Sequence, residues 1–171
     1  PKNRDVTDDL RDIVVAARPT VIYTHNLADK HDTHVGLAAK VIAVLRSLPI
    51  ELQPKKVYGV EIWRNLDWLP DKDKVVLDVT GAEHIAAALL GVFDSQIAGG
   101  KRYDLATLGR WRANATYLES HGVDKAQQCL FAMDLTPLVE NDKLDIAGYA
   151  VGFIDKLRED VKGRLDKFMP R

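Results

Sequence analysis

The chain has 171 residues, 46% of them apolar, with 24 basic and 25 acidic side chains and a formal net charge of −1. That length supports one ordinary domain core rather than two, and the charge balance excludes a basic footprint for nucleic acid or an anionic membrane. No apolar run approaches the roughly 18 to 20 residues that span a bilayer, and the opening residues Pro1-Lys2-Asn3-Arg4-Asp5 lack a signal-peptide core. These features predict a cytoplasmic protein with no membrane span. The lone Cys129 sits in the apolar run Cys129-Leu130-Phe131-Ala132-Met133, which predicts a buried thiol in a reducing compartment.

In chain order, Asp5 or Thr7 can cap a helix carrying Leu10, Ile13, Val14 and Ala17 at helical spacing, and Pro19 ends it. Thr20 to Thr24 is short, β-branched and aromatic, the pattern of a strand. It leads into the polar loop His25 to His31 and a helix with an apolar stripe from Val35 to Leu48, for which Asp32 or Thr33 is the natural cap. Strands are expected at Val57 to Trp63 and Lys74 to Val79, then helices from about Ala82 to Ser95 and about Asp104 to Ser120, separated by Gly99-Gly100. Gln127 to Met133 reads as the last strand. Ile146, Ala150, Phe153, Leu157, Val161, Leu165 and Phe168 then line one face of a long final helix that packs on a sheet or on another subunit. Helices interleaved with short apolar strands indicate a single α/β domain over residues 1–171 with a largely parallel sheet.

Three of the five histidines fall in one stretch, Thr24-His25-Asn26-Leu27-Ala28-Asp29-Lys30-His31-Asp32-Thr33-His34, between a strand end and a helix start. Ligands of α/β proteins gather beyond the carboxyl ends of strands. His31 and His34, three apart on the first helical turn, can face one metal or one substrate; solvated or helix-capping histidines account for the same spacing. Asp29 either orients an imidazole or forms a turn. His25 is expected to hydrogen-bond the loop or the sheet end and stands as a secondary candidate. Glu61, Trp63 and Arg64 are candidates for lining a sugar cleft, with packing plus a surface ion pair as the competing account. Ser95-Gln96, Lys101-Arg102-Tyr103 and Arg110 form a polar group suited to a cleft mouth or a subunit contact. His84 and His121 fit helix-terminal roles. No G-x-G-x-x-G follows a strand, which argues against a dinucleotide binder.

Arg18-Pro19-Thr20-Val21-Ile22-Tyr23-Thr24-His25-Asn26 followed by Asp29-Lys30-His31-Asp32-Thr33-His34 resembles the second conserved block of the GlcNAc-phosphatidylinositol de-N-acetylase (PIG-L/LmbE) family. The resemblance continues through Glu61-Ile62-Trp63-Arg64, Leu77-Asp78-Val79, Phe93 to Ile97, Gly99 to Asp104 and Arg110, over about residues 5 to 135. It implies a Rossmann-like three-layer α/β/α fold and zinc-dependent hydrolysis of the acetamide of an N-acetylglucosamine-containing small molecule. By the resemblance, His34 is a zinc ligand and His31 stabilises the oxyanion or protonates the leaving amine. A homo-oligomer is also consistent with the family, with the final helix as a plausible contact.

Two departures accompany the resemblance. Asp32 and Thr33 replace the usual proline and aspartate between the histidines, and the family's A-H-P-D-D-E block, which supplies the remaining zinc ligands and the general base, has no counterpart here. One histidine does not make a catalytic zinc site. The fold is therefore expected to be incomplete at its N-terminus, and the chain inactive alone, its Zn2+ requiring ligands from a lost N-terminal segment, another chain, or nowhere if the chain is a remnant. The alternative is a noncatalytic α/β binding or scaffold domain that keeps the fold without the metal.

Overall fold

The computed structural model describes residues 5–170; Pro1 to Arg4, which open the stretch read above as lacking a signal core, and Arg171 lie outside the described residues. Four strands, β1 (Val21–His25), β2 (Lys56–Val60), β3 (Lys74–Asp78) and β4 (Cys129–Asp134), run in the order β1-β2-β4-β3. The helices are α1 (Val6–Ala17), α2 (Asp32–Ser47), α3 (Glu83–Gly91), α4 (Ser95–Ala98), α5 (Tyr103–Tyr117), α6 (Thr136–Glu140) and α7 (Ile146–Phe168). None of the described helices is long and apolar enough to cross a membrane.

β1 and β2 are parallel, in register from Val21 opposite Lys56 to His25 opposite Val60, and α2 supplies the crossover between them. β4 runs antiparallel to β2, with Tyr58 opposite Asp134 and Val60 opposite Ala132. Past the ends of β3 and β4, Val79 N–H donates to the Gln128 carbonyl and Gln127 N–H to Thr80 Oγ1, the reversed numbering of an antiparallel pair. The sheet is thus mostly antiparallel, which corrects the expectation of a largely parallel one. Helices between strands suggest parallel crossovers, but only a short 3-10 turn at Asp71–Asp73 separates β2 from β3, and β4 returns between those two strands. Strand direction is a tertiary choice that local composition does not encode.

The described residues divide into two compact units, one of the residues up to Lys74 with those from Ala132 onward, the other of Val75–Phe131. In the first, α2 packs on α1, β1 and α6. Its Ala38, Val41, Ile42, Val44 and Leu45 are buried, as are Val57, Leu66, Leu69, Met133, Leu135 and Leu138. Each fully buried large aliphatic contributes about 1.5–3 kcal/mol relative to exposure. Leu135 N–H donates to the Val57 carbonyl and Val57 N–H to Thr136 Oγ1, tying β2 to the chain beyond β4. Arg46 donates to the carbonyls of Leu138, Asn141 and Leu144, satisfying acceptors where α6 ends. An apolar groove of about 480 Å³ borders β1, lined in part by Ile13, Val14, Ile22, His25 and Val41.

Asp5, rather than Thr7, caps α1 by accepting the Thr7 N–H, and Asp145 caps α7 by accepting the Gly148 N–H. α2 departs from expectation: its cap position is His31, with no side-chain cap bond, and Asp32 is already its first helical residue. On α7, Ala150 is buried, whereas Val161, Leu165 and Phe168 at the far end of the apolar stripe are exposed.

In the second unit α5 packs on α3 and α4, and the expected helix over 82–95 is broken after Gly91. Gly100, at φ 87°, adopts the left-handed turn that favours glycine. Asn114 Nδ2 donates to the Cys129 carbonyl at 2.9 Å. Cys129 is buried, as its apolar run implies, and burial pushes its thiol pKa up, leaving an unreactive thiol.

Candidate metal centre at the end of the first strand

The loop after β1 folds back on itself through two side chains that act as local acceptors. Asn26 Oδ1 accepts the Ala28 N–H at 2.7 Å, and Asp29 Oδ1 accepts the His31 N–H at 2.9 Å. Both are Asx turns, in which a short polar side chain replaces a backbone acceptor. Asn26 N–H meanwhile donates to the Val60 carbonyl, extending the β1–β2 ladder by one bond.

Glu61 pins this loop from the end of β2. Its Oε2 accepts Asn26 Nδ2 at 2.9 Å and its Oε1 accepts the Lys30 N–H at 3.1 Å. Asn26 is fully buried and Glu61 is 5% exposed, so both carboxylate oxygens are engaged inside the protein. Arg64 Nη1 donates to the Ala28 carbonyl at 2.7 Å, a third tie to the same loop. Beyond it, Asn65 and Leu66 have φ of 54° and 56°. Left-handed backbone is unfavourable for a leucine, and burial of the Leu66 side chain stabilises it there.

These ties bring three imidazoles together. His25 and His34 stack face to face, centroids 3.9 Å apart and planes 5° from parallel. His31 meets His34 edge-on at 5.0 Å and Trp63 edge-on at 5.1 Å. Beneath the stack lies Asp29, whose side chain is 1% exposed while the His25 and His34 side chains are 35% and 31% exposed. Its Oδ1 is 3.0 Å from His34 Nδ1, and its Oδ2 is 4.0 Å from His25 Nδ1. Burial, then the neighbouring His34, lower the pKa of His25 below the usual imidazole value, while the Asp29 carboxylate acts in the opposite direction.

One donor atom from each of His25, Asp29 and His34 lies within 4.8 Å of the other two. Two imidazoles and a carboxylate are groups that zinc accepts, so the donor set fits a divalent ion. The groups differ in access: the carboxylate is buried and already shares Oδ1 with His31 N–H and His34 Nδ1, whereas the rings reach the surface. Asp29 is placed as the anchor of the rings and the imidazoles as the outward-facing donors, an arrangement common around protein-bound metals.

The candidates from the sequence therefore separate. His31, Asp29, His34 and the secondary candidate His25 converge. Trp63 stands beside them, 37% exposed, with Lys30 Nζ 4.9 Å from its ring centroid. Glu61 and Arg64 hold the loop. Ser95, Gln96, Lys101 to Tyr103 and Arg110 belong to the other unit, where Arg102 makes a two-pronged pair with Asp104 at 3.0 and 2.7 Å. The role of Asn26 was missed by sequence reasoning; an asparagine directly after a strand end, two residues before its turn partner, is the signal that marks it. No protein-family model, curated protein or solved structure matches the chain.

Proposed function

We propose that the chain carries part of the active site of a zinc-dependent N-deacetylase that hydrolyses the acetamide of an N-acetylglucosamine-containing small molecule. The observation that supports this reading most directly is the 3.0 Å contact between His34 Nδ1 and buried Asp29, with His31 alongside. With Nδ1 engaged by Asp29, Nε2 is the His34 nitrogen left to bind a metal. His34 would hold the metal, which when bound supplies Lewis-acid polarisation of a carbonyl and a more acidic water.

The remaining chemistry falls to side chains of this chain. His31 Nε2 or Nδ1 donates a proton to the departing amine nitrogen, or a hydrogen bond to the carbonyl oxygen as negative charge develops there. The Trp63 face offers an apolar platform for one side of a sugar ring, and its edge contact with His31 fixes the imidazole beside that platform. Asp29 keeps His34 in one tautomer, and Glu61 with Asn26 keeps Asp29 in place.

The test is acetate release from a panel of N-acetylglucosaminides, measured on the protein made from its complete reading frame. Activity is expected to require zinc, to disappear in His34→Ala, and to fall about 10²–10⁴-fold in kcat in His31→Ala, the usual contribution of a general acid. Acetate release that is unchanged in His34→Ala sinks the assignment. Absence of release from every substrate favours a noncatalytic binding domain.

A further inference from the structure

We infer that His25 is a second metal ligand, so that His25 and His34 present a two-imidazole divalent-cation site over the buried Asp29 carboxylate. The inference rests on the metal-dependent reading above and adds to it a residue that neither the helical spacing of His31 and His34 nor the family resemblance assigns.

The two imidazole planes are parallel with centroids 3.9 Å apart, and both Nδ1 atoms lie near the same carboxylate, at 3.0 and 4.0 Å. The two nitrogens of an imidazole lie on different edges of the ring. With the Nδ1 edges turned toward Asp29, the Nε2 edges are turned away from it. Asp29 is 1% exposed and the two rings about a third exposed, so a cation arriving from solvent meets the rings first. Two imidazoles beside a buried carboxylate make a donor set that suits a dication. Zinc binds imidazole nitrogen at about 2.0–2.1 Å, which places two such donors about 3.3 Å apart. Tilting two part-exposed rings is a side-chain motion that leaves the backbone ties of Asn26 and Glu61 in place.

The two rings come from different elements, the last residue of β1 and the first turn of α2. Their approach depends on the pair of Asx turns that reverse the intervening loop. His25 stacks on the ring whose own Nδ1 is fixed by Asp29.

The experiment is zinc titration of the 171-residue chain near neutral pH by calorimetry, with elemental analysis after desalting. It compares the unsubstituted chain with His25→Ala, His25→Gln, His34→Ala, Asp29→Asn and, as a control in the other unit, His84→Ala. The expected result is one zinc per chain, with affinity lowered by on the order of 100-fold or more in the His25 and His34 variants. Asp29→Asn is expected to lower it about 10–100-fold, as loss of a carboxylate behind a ligating histidine does. His84→Ala should bind as the unsubstituted chain does. His25→Gln retains bulk and polarity, and circular dichroism of each variant separates loss of a ligand from loss of fold. Zinc binding that survives His25→Ala but not His34→Ala overturns the inference and leaves the deacetylase reading standing. Failure of the unsubstituted chain to bind zinc also overturns it. Zinc bound through both histidines without acetate release in the enzymatic assay supports the inference and sinks the deacetylase reading.

Discussion

Replacing Glu61 by glutamine keeps the shape of the side chain and exchanges one acceptor for a donor, at a place where the protein offers only donors. Asn26 Nδ2 points at Oε2 from 2.9 Å and the Lys30 N–H at Oε1 from 3.1 Å. Whichever way the new amide turns, its NH2 faces another N–H. Flipping the Asn26 amide to restore the match would sacrifice the 2.7 Å bond from Ala28 N–H to Asn26 Oδ1. One hydrogen bond to a charged group, about 1.5–3 kcal/mol, is lost, and a buried donor is left unpaired. Relief of the desolvation of a buried carboxylate offsets part of this, so a net cost of about 2 kcal/mol is expected. Amide hydrogen exchange reads it locally. The Lys30 amide should lose about thirtyfold in protection, the factor that 2 kcal/mol represents. Urea unfolding should shift its midpoint down by about 1 M for a slope near 2 kcal/mol/M. A change below about 0.5 kcal/mol, with Lys30 protection intact, would refute the account of Glu61 as the pin of the histidine loop.

Two further substitutions test the same unit from other sides. At Gly59 an added Cβ would lie 2.9 Å from Leu135 Cδ1 and 3.0 Å from Asn26 Cα, so Gly59→Ala should destabilise by about 1–3 kcal/mol in urea unfolding and disturb the His25–His34 stack in imidazole NMR spectra. Gly36→Ala, on α2 where nothing lies within 4 Å, should instead stabilise by about 0.5–1 kcal/mol, and equal effects at the two positions would count against the close approach at Gly59. Tyr149 donates its hydroxyl to the Asp134 carbonyl at 2.7 Å, and burial, with the nearby Asp134 and Asp73, pushes its pKa up to about 12. Tyr149→Phe should cost about 1 kcal/mol at neutral pH. Because the phenol ionises near 10 in the unfolded chain but near 12 in the folded one, its contribution is present below pH 10 and is lost as pH rises toward 12, so the difference between the two proteins should shrink over that window.

Much of the fold was legible because the signals were local. Asp5 before a helical apolar stripe, Pro19 after it, the β-branched and aromatic run Thr20 to Thr24 and the long stripe from Ile146 to Phe168 each specify an element by propensity or period, and α1, β1 (one residue later at each end) and α7 lie where those signals put them. What was not legible depends on partners distant in sequence. The placement of β4 beside β2, and its antiparallel sense, come from packing choices that no window of the chain contains. The break between α3 and α4 falls at Gly91-Val92-Phe93-Asp94, four weak helix formers inside a stretch whose apolar spacing predicts one helix.

The histidine loop shows the same division at the scale of one site. Helical spacing groups His31 with His34, because it describes the helix and nothing before it. In the fold, His34 lies face to face with His25, 3.9 Å away, and only edge-on to His31 at 5.0 Å. What reverses the grouping is the path of the intervening residues: Asn26 and Asp29 each turn the backbone, and Glu61, 35 residues beyond Asn26, holds the turn closed from the end of the next strand. Glu61 accepts from both Asn26 and Lys30 of the loop that joins the strand-end histidine to the helix-start one. The parallel pairing of β1 with β2 is what puts it there, since His25 opposite Val60 leaves Asn26 and Glu61 as the first residues past the two strand ends. The hold on the histidine loop is thus a consequence of register: a shift of one residue between these two strands would move Glu61 away from Asn26.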